Sequence, residues 1–211
     1  YVAHAALGID PYLSVVFLVP LFFALGYGIQ RFIIGPSSHG DDSNILLVTL
    51  GLSIIIENLL LAVFRSDTRS IDVPYGFSVI EFGPLLLSTP KIIAFFVSLA
   101  VAALLWFMLT HSDAGKAIRA VAREKTGAAL SGIRVDHIYA LTFGIGTACL
   151  AVAAAVLMPT FLVNPRVGNA FVLVAFTIVV LGGMGSVAGA LIGGLLIGVV
   201  DTFGKVLLPS A

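Results

Sequence analysis

The sequence predicts an all-α fold: a polytopic transmembrane helical bundle of about five membrane-embedded segments, with a glycine-rich break in the last. Three observations carry this reading. Of 211 residues, 59% are hydrophobic and 10% are charged, whereas a soluble domain is about a quarter charged, so there is too little charge to cover a wet surface. The apolar residues gather into runs close to the roughly 20 needed to cross a hydrocarbon core as a helix. The charged residues fall mostly between those runs. The formal net charge is zero, which argues against nucleic acid as a partner. Cys149 is the single cysteine. It sits between Ala148 and Ala151 in an apolar run and reads as small-residue packing. The opening YVAHAALGIDPY carries no signal-peptide pattern, and the expectation is a fragment of a longer membrane protein, with residues 1–211 forming one partial transmembrane domain.

The first span is expected from Leu13 to Ile34, uncharged until Arg31, and the loop GPSSHGDDSN follows it. The second runs from Ile45 to Phe64 and contains Glu57. Residues 65–90 form a polar loop in which SIDVPYGFSVIEFGP alternates around Pro-Tyr-Gly, as a small hairpin does. The third span covers Lys91 to Thr110, and the fourth Ile138 to Met158. Between them, 111–137 is a basic connector. The final apolar region has no Asp, Glu, Lys or Arg from Val167 to Val200, 34 residues. A straight helix of that length would reach about 50 Å, against a hydrocarbon core of about 30 Å. LGGMGS at 181–186 supplies the break, because clustered glycine disfavours helix. Helical pieces at 171–182 and 187–204 are therefore expected. Irregular backbone at membrane depth must be buried in protein or line a cavity, which makes Gly182, Gly183, Gly185 and Ser186 candidates for a transport path or gate. A kinked packing helix is the alternative.

Sidedness follows Lys and Arg in short loops. Lys116, Arg119, Arg123, Lys125 and Arg134 lie in the connector, and Arg31 falls on the same side. Arg65, Arg69, Lys91 and Arg166 lie opposite. The bias places the connector in the cytoplasm and 65–90 outside.

Enzymatic signatures do not survive scrutiny. AFTIVVLGGMGSVAGA imitates a dinucleotide fingerprint, but that motif needs a βαβ unit, which a chain of membrane spans lacks. No P-loop is present. His4, His39, His111 and His137 are scattered without zinc-ligand spacing, so no metal site is expected. No nucleophile–base arrangement is readable.

Other features have two readings each. Gly185, Gly189 and Gly193 form one row of small residues, and Ala190, Gly194 and Gly198 a second. Such rows let another backbone approach closely in lipid, either as ordinary packing or as a sliding or dimerising interface. Gly144, Ala148, Thr147, Ala151 and Ala155 make complementary rows on the fourth span. Glu57 costs roughly 2.5–3.5 kcal/mol on insertion scales. With Asn58 beside it and Thr49 two turns earlier, it marks either a substrate path or gate, or a polar clamp to another helix.

In the connector, GKAIRAVAREKTGAALSGI, the residues Ala117, Ile118, Val121 and Ala122 recur at helical spacing while Lys116, Arg119, Arg123 and Lys125 fill much of the rest. Asp113 is placed to cap the helix, Gly127 to interrupt it, and Gly132 to end the second piece. The element could lie on anionic headgroups, be a solvated link, or dock on a cytoplasmic partner.

Three stretches, RFIIGPSSHGDDSNILLVTLGLSIIIENLLLAVF, DAGKAIRAVAREKTGAALSGIRVDHIYALTFGIG and NPRVGNAFVLVAFTIVVLGGMGSVAGALIGGLLIG, resemble the permease subunits of branched-chain amino acid ABC transporters, the H-type subunit in particular. The resemblance spans nearly the whole chain. It implies that the connector is a coupling helix resting on a cytoplasmic ATP-binding subunit, with Gly115, Arg119, Ala120 and Gly132 matching the family pattern and Lys116 and Arg123 on the same element. In the last region it covers Pro165, Gly168, Gly182, Gly183, Gly185, Ser186, Gly189 and Gly193. It further implies a multi-pass protein of the bacterial inner membrane, with a second permease subunit, a periplasmic substrate-binding protein and the lipid bilayer as partners. ATP would be bound by the partner subunits, with no cofactor in this chain. The solute would be a branched-chain or related amino acid. The sequence departs from the family at Gly35, where a second arginine is usual, and at AVAAA, 151–155, where an Ala-Gly-rich run is usual. Two earlier spans and one later span would complete the family's pattern. The rival function is an ion-coupled secondary transporter of a small polar solute, which expects inverted repeats and acids at the midplane. Glu57 is the one plausible acid, and no internal repeat is visible. A membrane-embedded enzyme is the third reading.

Overall fold

A computed structural model describes residues 11–38, 42–65, 79–82, 85–159, 167–183 and 185–207. Helix α1 spans Pro11–Ile29 and continues through a π-helical turn, Gln30–Ile34, into a single turn, α2, Gly35–Ser38. Helix α3 is Asp42–Phe64, α4 Thr89–His111, and α7 Val135–Leu157. The connector between α4 and α7 forms α5, Asp113–Arg123, and α6, Lys125–Leu130. Helices α8, Val167–Gly182, and α9, Val187–Leu207, form the last region. Five of the helical segments are long and apolar enough to cross a membrane, and α8 is shorter. The polytopic helical fold is therefore as expected, with span boundaries displaced by a few residues.

One short hairpin is present. Val79–Phe82 (β1) pairs antiparallel with Leu85–Ser88 (β2). The expected Pro-Tyr-Gly turn lies outside the described residues, and the pairing joins Phe82 to Leu85 at its near end. Leu85–Ser88 leads directly into α4, whose Pro90 sits in the first turn, where its missing N–H breaks no helical bond.

Helices α1 and α7 form the tightest pair, and glycine explains why. Gly26 has no side chain, so Thr147 comes against the α1 backbone and its hydroxyl donates to the Phe22 carbonyl at 2.9 Å. A Cβ on Gly26 would collide with Thr147. Across the same seam, Gly144 faces the Phe23 carbonyl, which a Cβ there would meet at 3.0 Å. Nearer the connector, the Tyr27 hydroxyl hydrogen-bonds His137 Nδ1 at 2.9 Å. Lipid tails are as apolar as leucine, so such pairs are held by dispersion and interhelical hydrogen bonds, each bond giving about 0.6–2 kcal/mol.

The small-residue rows find partners other than those expected. Gly144 and Thr147 of α7 meet α1. On α9, a Cβ on Gly189 would collide with the Gly182 carbonyl, and one on Gly193 would meet the Ile178 carbonyl at 3.0 Å. These rows therefore serve the α8–α9 turn. Gly194 touches only the Ile178 side chain, and Gly198 has open space around its Cα. Between α4, α7 and α9 lies an apolar cavity of about 820 Å³, whose walls include Phe95, Cys149, Ala153, Ala190 and Gly194.

Valine at Gly26 should destabilise the protein by about 1–3 kcal/mol through overpacking. Valine at Gly51, where a Cβ meets nothing within 4 Å, should be tolerated. Thermal unfolding of both variants in detergent checks this, and equal melting temperatures would contradict the account of the α1–α7 seam.

Candidate functional site: the basic connector and the cleft beside it

The cap of the first connector helix is Ser112, not Asp113. Ser112 Oγ accepts the Gly115 N–H at 3.0 Å and is the N-cap of α5. Asp113 occupies the first turn, where its charge still complements the helix N-terminus, and it pairs with Lys116 at 2.9 Å. That ammonium holds the Asp113 carboxyl below its ordinary value. The stabilisation from this exposed pair is present above the ordinary carboxylate range and fades only as pH falls through the lowered value, so near-neutral pH should not affect α5.

The chain bends at Glu124, where the backbone is extended (φ −151°, ψ 101°), and not at Gly127, which lies inside α6. Glu124 serves both helices: its N–H donates to the Ala120 carbonyl and its carbonyl accepts from Ala128, each at 3.0 Å. On a straight helix Val121 and Ala128 would stand about 10 Å apart along the axis. The bend folds both onto Ile138 at the start of α7, and the three form a buried cluster with Ala117, Ile118, Ala120, Ile133 and Val135 packed around it. Gly132 ends the second piece as expected, in the left-handed region at φ +84°, which glycine adopts without a Cβ penalty.

The expected coupling residues divide by what they touch. Gly115 is buried against the last turns of α4, where a Cβ would collide with the Leu109 backbone. One turn on, the Arg119 guanidinium donates to the Leu109 carbonyl. Ala120 packs on the α7 cluster. These three tie the connector to the spans. Lys116 and Arg123 are exposed, as is Leu130, at 85% of its surface.

Beside the connector lies a cleft of about 1100 Å³ that sequence spacing did not reveal. It is lined by Gln30 and Arg31 from the π turn, Lys125 from α6, and Asp136, Tyr139 and Thr142 from α7, among others. Lys125 Nζ lies 5.7 Å from the centre of the Tyr139 ring. The π turn and the connector, far apart in the chain, thus border one cleft.

The glycine-rich break lies where expected. Gly183 and Gly185 have φ +84° and +90°, and Ser186 Oγ accepts the Gly189 N–H at 3.0 Å at the start of α9. Glu57 and Asn58 sit on α3, which meets the rest of the fold mainly through the π turn and α2. Asn58 Nδ2 donates back to the Ile54 carbonyl at 2.8 Å, and Thr49 Oγ1 to Ile45 at 2.9 Å. Both polar groups thus satisfy themselves on their own helix, as side chains in lipid do. Glu57 is half-buried. The break and Glu57 are far apart in the chain and line neither cavity together. Among the described residues no His, Cys, Asp or Glu group could hold a metal ion.

Fold and connector together define a multi-pass membrane protein. The profile of the family described as branched-chain amino acid transport system / permease component matches residues 2–211, and the chain belongs to that family. It is 35% identical over 188 residues to the high-affinity branched-chain amino acid transport system permease protein BraD of Pseudomonas aeruginosa, covering 86% of this chain and 61% of that one. The corresponding LivH protein of Escherichia coli K12 is 33% identical over 195 residues, 89% of this chain and 62% of that one. The D-allose transport system permease protein AlsC of the same organism is 31% identical over 165 residues, 74% and 48% of the two chains. The chain thus spans about three fifths of the length of the first two relatives. No solved structure matches it.

Replacing Ser112 by alanine should weaken the start of α5 by about 1 kcal/mol, the usual value of a lost N-cap. Faster amide hydrogen exchange across 113–117, with α7 unchanged, is the expected result.

Proposed function

We propose that this chain is the membrane-embedded permease subunit of an ABC importer for branched-chain or related amino acids in the bacterial inner membrane. In this reading 111–137 is the cytoplasmic coupling element and 65–90 an external loop. The partners are a second permease subunit, cytoplasmic ATP-binding subunits and a periplasmic substrate-binding protein. ATP is bound and hydrolysed by those partner subunits. Family membership and the names of the relatives support the transport class. It also disfavours the ion-coupled alternative.

The observation that carries the coupling role is the double attachment of the connector. Gly115 and Arg119 fasten α5 to the end of α4, and Val121 and Ala128 fasten both connector helices to the start of α7. A push on α5 is therefore received by two spans at once, because packed interiors transmit displacement and do not absorb it. The exposed Lys116, Arg123 and Leu130 are the contacts available to an ATP-binding subunit. Arg119 acts as an internal strut that passes the motion on. The spans would then alternate between inward-open and outward-open states as ATP-bound partners favour one of them.

The test uses the full-length permease with its ATP-binding subunit. Arg123→Glu or Leu130→Glu should abolish co-purification of that subunit. Arg119→Glu should retain it while uptake falls at least tenfold and ATP hydrolysis continues. Uptake coupled as in wild type for all three variants would refute the coupling role.

A further inference from the structure

The cleft beside the connector carries charges of both signs, drawn from three separate elements. Arg31 comes from the π turn after α1, Lys125 is the first residue of α6, and Asp136 lies in the first turn of α7. A carboxylate in a helix's first turn is favoured by the helix dipole. That accounts for Asp136 on α7 but not for two cations lining the same space from elsewhere. Among the described residues Arg31 and Asp136 have no ion-pair partner, so the opposite charges border the cleft without closing on each other. Its volume of about 1100 Å³ slightly exceeds the usual range of small-ligand sites, about 300–1,000 Å³.

The charge pattern limits what can enter. A plain anion would meet Asp136, and a plain ammonium would meet Arg31 and Lys125. A molecule carrying both charges satisfies all three. Tyr139 and Thr142 add hydroxyls, while Phe143 and Leu150, also in the wall, offer an apolar continuation. We infer that this cleft binds a zwitterion with an apolar tail, its anionic group received by Arg31 and Lys125 and its ammonium by Asp136. Two molecules have this chemistry: a free apolar amino acid and a phosphatidylethanolamine headgroup with its acyl chains. The amino-acid source rests on the transport function proposed above. The lipid source does not.

The experiment uses the full-length permease in mild detergent. Radiolabelled leucine binding is read by scintillation proximity, and co-purifying phosphatidylethanolamine and phosphatidylglycerol by native mass spectrometry. Wild type is compared with Arg31→Gln, Asp136→Asn and Asp136→Glu. A free amino acid is the ligand if leucine binding weakens at least tenfold in the two neutralised variants and recovers in Asp136→Glu. Phosphatidylethanolamine is the ligand if its retention falls in those variants while phosphatidylglycerol is unchanged. Equal loss of both lipids would reveal a plain anion site and overturn the inference, as would no change in any signal. Should the variants not purify, the wild type decides. Competition against leucine by 4-methylpentanoate, which lacks the ammonium, and leucinol, which lacks the carboxylate, must be at least tenfold weaker than by leucine, or phosphatidylethanolamine must be retained over phosphatidylglycerol. Failure of both overturns the inference. Co-purification of the ATP-binding subunit, read in the same preparations, reports on the transport function separately.

Discussion

Close approach between backbones in lipid is the constraint on which this fold depends. Helices in a bilayer gain nothing by hiding apolar faces from one another, since lipid serves as well. What holds them is contact dense enough to outdo lipid, and the α1–α7 seam achieves it by removing side chains. At Gly26 and Gly144 the missing Cβ lets the facing helix reach the backbone, and Thr147 then bonds the Phe22 carbonyl. The Tyr27–His137 bond extends the seam toward the connector. Because α7 receives the connector's apolar cluster at its first turn, one end of the basic element takes its position from this pair of helices.

The same device recurs at two other junctions. Gly115 brings α5 onto the end of α4, and Gly189 brings α9 onto Gly182. In each case a polar group occupies the space gained or closes the adjacent turn: Arg119 on the Leu109 carbonyl, Ser186 on the Gly189 N–H. Glycine here supplies proximity, and the hydrogen bond supplies direction. The connector is consequently a rigid bracket between two spans and not a tether.

The spans, the break at 183–185 and the helical connector were legible in the sequence, because apolar run length and glycine clustering are local signals. Partners were less legible. The rows on α7 and α9 looked complementary to each other, but small residues advertise only that something approaches, not what. Tyr27 and His137 stand 110 residues apart, and no spacing rule links them. Asp113 looked like the cap because an acid suits a helix N-terminus, while Ser112, one residue earlier, has the extended backbone that capping requires. The break at Glu124 was assigned to Gly127 for a similar reason: propensity marks glycine, but the tertiary cluster under Val121 and Ala128 fixed where the chain bends. Arg31 served only as a topology marker and Asp136 carried no signal at all, since one sequence cannot show that distant charges border one cleft.

The hairpin at the glycine break also changes the arithmetic of membrane crossing. Ile178 lies against Gly193 and Gly194, and Gly182 against Gly189, so α9 turns back antiparallel along α8. A single straight span through this uncharged region would carry the chain to the opposite face. The hairpin instead sends α9 back along α8, toward the end at which α8 began. Two left-handed glycines therefore set the direction in which α9 runs, and no charged residue between Val167 and Val200 takes part in that decision.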